Sequence, residues 1–188
     1  MKNELDTLIQ NEYKFIDLRS EKEFQKGTIP NSINLPILSD KEHESVGIEY
    51  KKNGQQSAIE LGHTLVVGKI KVKRVKGWCD FIHKYPATKI FCHRGGLRSQ
   101  IALGWLKESG VNTSLIPGGY KKLRAQCIDI IQLKCNSKKK WVILGGNTGS
   151  GKTDFLLYYQ SAINLEGIAN HRGSAFGKKI SSQPTASN

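Results

Sequence analysis

The sequence contains few cysteines, and their spacing fits neither a metal site nor a redox pair. Cys79, Cys92, Cys127 and Cys135 are the only four, without a C-x-x-C pair or the Cys/His spacing of a zinc site. We therefore predict no metal-ligating residues. A reducing cytoplasm, in which thiols stay free for chemistry, fits this usage best.

Long hydrophobic runs are also missing. No apolar run approaches the roughly 18 residues that a membrane helix needs, and the N-terminal "MKNELDTLIQ" is too polar for a signal peptide. The 38% hydrophobic content and regular apolar runs still suffice for a buried core. We expect a folded cytoplasmic protein with no membrane partner.

Acidic residues are scarce. Asp and Glu number 16 against 29 Lys and Arg, a formal net charge of +13. Such an excess favours a polyanionic partner, because neutralising phosphates releases counterions, although a solvated basic surface is the alternative. The charge is densest in residues 68–78 and 134–141, and neither run has the interleaved aromatics of a single-strand stacking surface.

Strand and helix patterns alternate through the first two thirds of the chain. Strands are predicted in "YKFIDLRS", "TKIFC" and "VNTSLIPGGY", and a helix in "SQIALGWLKESG" ends at Gly110. Residues 37–67 predict two amphipathic helical pieces separated by Asn53-Gly54, and "GWCDFIHKYP" predicts a helix that Pro86 stops. We predict an α/β domain with a mainly parallel sheet and flanking helices over residues 1–125.

A second unit is predicted after a connecting segment. Residues 126–140 predict a linker helix and a basic stretch, and "WVILGG" predicts a strand that opens a unit at residues 141–188. No further strand follows. This unit is therefore predicted to be an incomplete P-loop strand-loop-helix unit, weakly ordered and with poor diphosphate affinity.

Cys92 is the candidate nucleophile. In "FCHRGGLRS" it directly follows a predicted buried strand, and a helix is predicted to begin near Ser99. Backbone N–H groups and the positive end of that helix favour a thiolate, and Arg94 and Arg98 could bind an oxyanion or phosphate. Gly95 and Gly96 let the backbone wrap an anion closely. The alternative is a buried cysteine at a strand end. The other three cysteines have no such loop, and we interpret them as structural.

A second loop predicts phosphate binding. "GNTGSGKT" at residues 146–153 fits G-x-x-x-x-G-K-[ST] between a predicted strand and helix. Its phosphate-binding residues are predicted to be Gly146, Gly149, Gly151, Lys152 and Thr153, with the Thr153 hydroxyl available to Mg²⁺. No later strand offers a second carboxylate for the ion. A glycine-rich turn with an accidental lysine is the alternative.

The first domain resembles the rhodanese family. The resemblance is carried by "FIDLRSEKEFQKGTIPNSINLP", "FCHRGGLRS" and "IPGGY", in the family's order. It implies that Cys92 carries sulfur or selenium as a persulfide-type adduct and that residues 93–98 form its cradle. Cysteine phosphatases of related fold are the rival; we count the loop as the shorter, sulfurtransferase-like kind.

The pairing of the two loops is similar to the tRNA 2-selenouridine synthases. Residues 46–62 and 165–177 also resemble that family, whereas His43, Ile48 and Asn164 depart from its usual arginine, threonine and aspartate. Members of the family are much longer, so we expect a truncated copy.

The resemblance implies a selenotransferase acting on tRNA. Selenophosphate and geranyl diphosphate would be substrates, no cofactor would be tightly bound, and a selenophosphate-producing enzyme would be a partner. Arg94, Gly95, Gly96 and Arg98 would bind the selenium donor, and the loop from Gly146 to Thr153 the diphosphate. A stand-alone rhodanese-type sulfurtransferase and an inactive tRNA-binding remnant are the alternatives.

Overall fold

The structure is a computed structural model that describes residues 13–135, 140–173, 176–180 and 183–184. The chain divides into two compact units, with the boundary between Ile131 and Gln132. Each unit is described by itself.

The first unit contains a four-stranded parallel sheet. Its strands are β1 (Phe15–Asp17), β2 (Ser32–Asn34), β3 (Lys89–Phe91) and β4 (Ser114–Leu115), in the order β2-β1-β3-β4. Ile16 at the centre of β1 pairs with Ile33 of β2 and Ile90 of β3. The parallel α/β fold predicted from the sequence is confirmed.

Among residues 13–135, which the structure describes, the helices are α1 (Glu21–Gln25), α2 (Asp40–Leu65), α3 (Lys69–Lys84), α4 (Leu97–Glu108) and α5 (Gly119–Cys135). Helices α1 and α2 begin alike, because Glu23 and Glu42 accept hydrogen bonds from the backbone N–H of Ser20 and Ser39. Within α2, Gly54 has φ 87° and ψ −175°, which confirms the predicted break between two helical pieces.

The predicted first residue of α3 was wrong. The helix begins at Lys69, inside the basic run, rather than after it. Val75, Trp78 and Ile82 are buried along one side of α3, so packing against the core extends the helix over residues that looked like a charged loop.

Alternate residues of the strands supply two hydrophobic clusters. Ile16 and Ile90 belong to the larger cluster, where Trp78 stacks on Trp105 with ring centroids 6.1 Å apart. The strand neighbours of those isoleucines, Phe15 and Phe91, belong to a smaller cluster with Ile116, Tyr120 and Leu123. Because successive side chains of a strand point to opposite faces, this division buries both faces of the sheet.

Asp17 and Arg19 form a buried ion pair that joins several elements of the first unit. Arg19 Nη2 lies 2.6 Å from Asp17 Oδ2, and both side chains are almost completely buried. The same Nη2 donates to the carbonyl oxygen of Gly27, and Thr28 Oγ1 donates to Asp17 Oδ2. The guanidinium carbon of Arg19 also lies 3.9 Å from the centroid of the Tyr120 ring. One side chain therefore links β1, the turn after α1 and the start of α5.

In the described residues of the second unit, α6 (Lys152–Leu157) and α7 (Leu165–Ile168) are short helices. The strand predicted for "WVILGG" is not formed, because residues 140–147 carry no regular secondary structure. A β-strand needs a partner for its backbone hydrogen bonds, and no described strand pairs with this segment. The phosphate-type loop thus precedes a helix but does not follow a strand.

We expect Arg19→Ala to lower the free energy of unfolding by about 3–5 kcal/mol, because the substitution leaves the buried Asp17 carboxylate without its charged partner. Urea unfolding of the whole chain measures the change. The matched control is Glu108→Ala, which removes the exposed ion pair with Lys71 and should cost less than about 1 kcal/mol. Equal losses in the two variants would contradict a structural role for Arg19.

Candidate active site

Cys92 lies immediately after β3, in the loop that leads to α4. The residue is 3% exposed. Its Sγ is 3.3 Å from Ser99 Oγ and 4.0 Å from the carbonyl oxygen of Gly96. The hydroxyl of Ser99 itself donates to that carbonyl at 2.8 Å. The sulfur is thus held between the loop and the first turn of the helix, where a hydroxyl can turn its hydrogen toward a thiolate.

Close backbone packing shapes the loop. Gly95 has φ 66°, and a Cβ there would lie 2.8 Å from the backbone nitrogen of Gly118. Gly119 has φ 57°, and its Cβ would lie 2.6 Å from the nitrogen of Gly95. Next to this contact, Tyr120 N–H donates to the carbonyl oxygen of Cys92 at 3.0 Å. The glycine turn before α5 therefore fixes the backbone that carries the sulfur.

Arg98 is bound by a carboxylate of α1. Its Nη1 and Nη2 lie 2.6 Å and 3.2 Å from the two carboxyl oxygens of Glu23. Burial raises the pKa of Glu23, but the hydrogen bond and charge of Arg98 and the N–H of Ser20 lower it below its usual range. His43 Nε2 lies 3.6 Å from the same carboxylate. The structure thus places Arg98 in an ion pair, and anion binding by this residue stays a prediction.

Arg94 and His93 occupy the outer part of the loop. Arg94 is exposed and makes no hydrogen bond or ion pair within the described part of the chain. Burial lowers the pKa of His93; Glu23 opposes this effect, and the charges of Arg19, Arg98 and Arg94 add to it. An imidazole of lowered pKa and one exposed guanidinium therefore follow Cys92 in the chain, and donor binding by Arg94 stays a prediction.

The other cysteines differ from Cys92 in their surroundings. Cys79 and Cys127 pack against the two core clusters, and burial raises the pKa of both thiols, with Asp80 adding to the effect at Cys79. The interpretation of these two as structural residues agrees with this packing. Cys135 is exposed and belongs to neither core cluster of the described residues, so for this cysteine the interpretation stays a prediction.

Sequence reasoning missed the roles of Ser99, which contacts the sulfur, and of Glu23, which pairs with Arg98. The sequence predicts that the helix begins near Ser99, whereas α4 begins at Leu97 and brings Ser99 Oγ to 3.3 Å from Sγ. Glu23 lies far from Arg98 in sequence, and its only local signal was its place three residues after Ser20 at the start of α1. An ion pair between residues distant in sequence leaves no periodic pattern from which it could be predicted.

The phosphate-type loop of the second unit keeps three glycines at positive φ: 155° at Gly146, 81° at Gly149 and 75° at Gly151. Lys152 Nζ donates to the carbonyl oxygens of Gly146 and Asn147 at 2.8 Å and 2.7 Å. The loop therefore curls around the ammonium group of its own lysine, which places a positive charge within the turn.

Two residues that depart from the family pattern make polar contacts. Asn164 Oδ1 accepts a hydrogen bond from Gly167 N–H at 2.9 Å and caps α7, a bond that an aspartate can also make. His43 lies against Glu23, where an arginine could form an ion pair. Ile48 is half-exposed on α2.

Among the described residues, no three His, Cys, Asp or Glu side chains cluster as metal ligands would. The same residues include no helix that is both long and apolar enough to span a membrane.

The parallel sheet, the cysteine after β3 and the glycine turn that holds it define a rhodanese-type domain. Residues 1–126 match the Rhodanese-like domain family, and the chain belongs to that family. Residues 139–188 match a second family, described as the AAA domain of tRNA 2-selenouridine synthase.

Individual relatives agree with both matches. The chain is 50% identical over 173 residues to the tRNA 2-selenouridine synthase of Shewanella oneidensis, covering 92% of this chain and 46% of the relative. It is 46% identical over 179 residues to the tRNA 2-selenouridine synthase of a Sulfurovum species, covering 95% and 49%. The resemblance to this family is confirmed, and the chain spans about half the length of these relatives.

A solved structure supports the fold of the first unit. The N-terminal domain of a Clostridium difficile 630 protein, described as ATP/GTP binding, superposes with a TM-score of 0.53 and 30% identity. The match covers 62% of this chain and 89% of that domain.

We expect Gly119→Ala to lower the free energy of unfolding by more than about 2 kcal/mol, because the new Cβ would meet the Cys92 loop at a positive φ. The rate at which iodoacetamide alkylates Cys92 should change as well. Urea unfolding and peptide mass spectrometry measure the two effects. The control is Gly104→Ala in α4, whose Cβ would meet no atom within 4 Å. If Gly119→Ala and Gly104→Ala changed the free energy of unfolding and the alkylation rate of Cys92 equally, the role of the turn would be disproved.

Proposed function

We propose that the chain acts as a tRNA 2-selenouridine synthase, transferring selenium from selenophosphate to the wobble 2-thiouridine of tRNA through a geranylated intermediate. The observation that carries the proposal is the joint presence of a rhodanese-type Cys92 loop and a segment matching the AAA domain of tRNA 2-selenouridine synthase. Each feature alone is compatible with other transferases, whereas the pair is shared with relatives about 50% identical to the chain.

Cys92 is the proposed carrier of the chalcogen. Its sulfur lies beside the N-terminal turn of α4, whose partial positive charge stabilises an anionic adduct. Ser99 is placed to donate a hydrogen bond to that adduct, and the exposed Arg94 to hold the phosphate part of the donor. Gly95 and Gly96 supply a backbone without side chains at the point where the donor approaches.

The loop from Gly146 to Thr153 is the proposed site for the diphosphate of geranyl diphosphate. Support comes from the positive φ of its glycines, and from Lys152, whose ammonium group now bonds to loop carbonyls that phosphate oxygens can replace. The Thr153 hydroxyl is the proposed contact for Mg²⁺ when the ion accompanies the diphosphate. A selenophosphate-producing enzyme is the proposed supplier of the other substrate.

Helix α3 is the proposed contact surface for the tRNA backbone. Lys69, Lys73 and Lys76 are exposed and spaced four and three residues apart, so they lie along one side of the helix. The other two cations in this run are already bound, since Lys71 pairs with Glu108 and Arg74 with Glu42. The three exposed lysines, called here the lysine stripe, are therefore the ones available to phosphates.

We expect Cys92→Ser to abolish the persulfide that forms when the thiolate attacks the outer sulfur of thiosulfate and sulfite leaves, because a hydroxyl neither ionises near neutral pH nor forms a persulfide. Mass spectrometry after incubation with thiosulfate measures this adduct, and liquid chromatography of digested 2-thiouridine tRNA after incubation with selenophosphate measures modification. The control is Cys135→Ser, which should retain both the adduct on Cys92 and the modification of the tRNA.

The same assay separates the alternatives. Turnover of thiosulfate without any tRNA modification would favour a stand-alone sulfurtransferase. Binding of tRNA without any adduct would favour a tRNA-binding protein. An adduct on a cysteine other than Cys92 would refute the assignment of the carrier.

We expect substitution of the lysine stripe by glutamine to weaken tRNA binding and to reduce the slope of log K against log salt concentration by up to about 3, close to 1 for each lost phosphate contact. Filter binding at several salt concentrations gives both quantities. The control replaces Lys41, Lys51 and Lys52 of α2, which makes the same change in net charge. If the two triple variants behave alike, the stripe is only a solvated surface.

A further inference from the structure

The second unit places a carboxylate beside the end of the phosphate-type loop. Glu166 is the second residue of α7, and its Oε2 lies 3.5 Å from the hydroxyl oxygen of Thr153. The sequence offered no carboxylate for this loop, because no later strand was predicted to supply one. The structure supplies one from a short helix instead, 13 residues further along the chain.

The backbone after α7 leaves room for this carboxylate. Asn164 Oδ1 accepts a hydrogen bond from Gly167 N–H, and His171 N–H donates to the carbonyl oxygen of Glu166 at 3.0 Å. These bonds bring the following residues back beside the Glu166 side chain. Gly173 has φ 74°, and a Cβ there would lie 2.6 Å from the carboxyl carbon of Glu166 and overlap one of its oxygens. The carboxylate therefore fills a space that only glycine provides.

A carboxylate in this position conflicts with the proposed ligand of the loop unless a cation lies between them. A diphosphate bound by Lys152 and the Thr153 hydroxyl would bring its oxygens close to Glu166. The two negative groups would repel each other, and the single ammonium group of Lys152 cannot neutralise both. A divalent cation that binds both groups turns the repulsion into attraction.

The oxygen ligands favour Mg²⁺. This ion is usually held by one or two carboxylates together with substrate phosphates and waters. Neighbouring ligands of an octahedral Mg²⁺ at about 2.0–2.1 Å lie about 3 Å apart, so a shift of about half an ångström would bring Thr153 Oγ1 and Glu166 Oε2 to that spacing. The set contains one carboxylate, unlike the clusters of three His, Cys, Asp or Glu that the described residues lack, so the ion depends on the diphosphate for further ligands.

We propose that Glu166 and Thr153 together bind a Mg²⁺ ion that accompanies a diphosphate in the loop from Gly146 to Thr153. The proposal deepens the proposed function and rests on it only for the assignment of a diphosphate to this loop. Asp154 is the rival carboxylate, but it directly follows Thr153 in α6, and adjacent residues of a helix do not face each other. Glu166 thus takes the role that an aspartate has in other P-loop proteins.

Calorimetric titration of the whole chain with inorganic pyrophosphate, once in EDTA and once in magnesium chloride, tests the role of Glu166. Mg²⁺ should tighten pyrophosphate binding to the wild-type chain by at least about tenfold, and Glu166→Gln should lose this gain. In EDTA, Glu166→Gln should bind pyrophosphate more tightly than the wild type does, because the repulsion is removed. That result would also show that the variant folds. A change in the same direction in both buffers would overturn the proposal.

Two further variants locate the ligand. Asp154→Asn is the matched control, because it removes the same charge from the residue after Thr153 and should keep the gain from Mg²⁺. Gly173→Ala should lose the gain although Glu166 is retained, since the new Cβ would displace the carboxylate. Loss of the gain in Asp154→Asn, or an unchanged gain in Gly173→Ala, would refute the assignment.

Failure of this inference is distinguishable from failure of the proposed function. Pyrophosphate binding that does not depend on Mg²⁺ in the wild-type chain would overturn the role of Glu166 and leave the loop as a diphosphate site. Absence of pyrophosphate binding in both buffers would overturn the assignment of the loop and this inference with it. Binding that depends on both Mg²⁺ and Glu166, in a chain that transfers no selenium, would support this inference and refute the proposed function.

Discussion

The guanidinium of Arg19 is the group on which the order of the first unit depends. It binds the Asp17 carboxylate at the end of β1 and the carbonyl oxygen of Gly27, and it lies against the ring of Tyr120. Tyr120 in turn donates its backbone N–H to the carbonyl oxygen of Cys92. A buried charge pair, costly to leave incomplete, thereby orders the glycine turn that holds the nucleophile loop.

Short sequence patterns predicted those elements of the fold that depend on residues close to one another in the chain. The strand before Cys92, the break at Gly54 and the end of α4 before Gly110 follow from apolar runs and from glycine conformation, both visible in a short window. The loop after β3 was visible for the same reason, since Cys92, Gly95 and Gly96 fall in one short segment, while the role of Cys92 as a nucleophile stays a prediction. The start of α3 was not, because burial of Val75 and Trp78 overrides the charged appearance of the segment.

The parts that escaped prediction depend on contacts distant in sequence. Glu23 of α1 meets Arg98 of α4 across a separation of 75 residues, a pairing that only the tertiary fold brings about. At residues 141–146 the error is the opposite one, because a strand is predicted and none is formed. The apolar run of this segment has strand propensity, but propensity without a partner leaves backbone groups unpaired, and no strand forms among its described residues.

Charge pairing decides where an anion can approach Cys92. Asp17 matches Arg19, and Glu23 matches Arg98, so two of the cations near the loop attract little further negative charge. Among the described residues no carboxylate pairs with Arg94, so Arg94 and the N-terminal turn of α4 keep an unmatched positive charge close to Cys92.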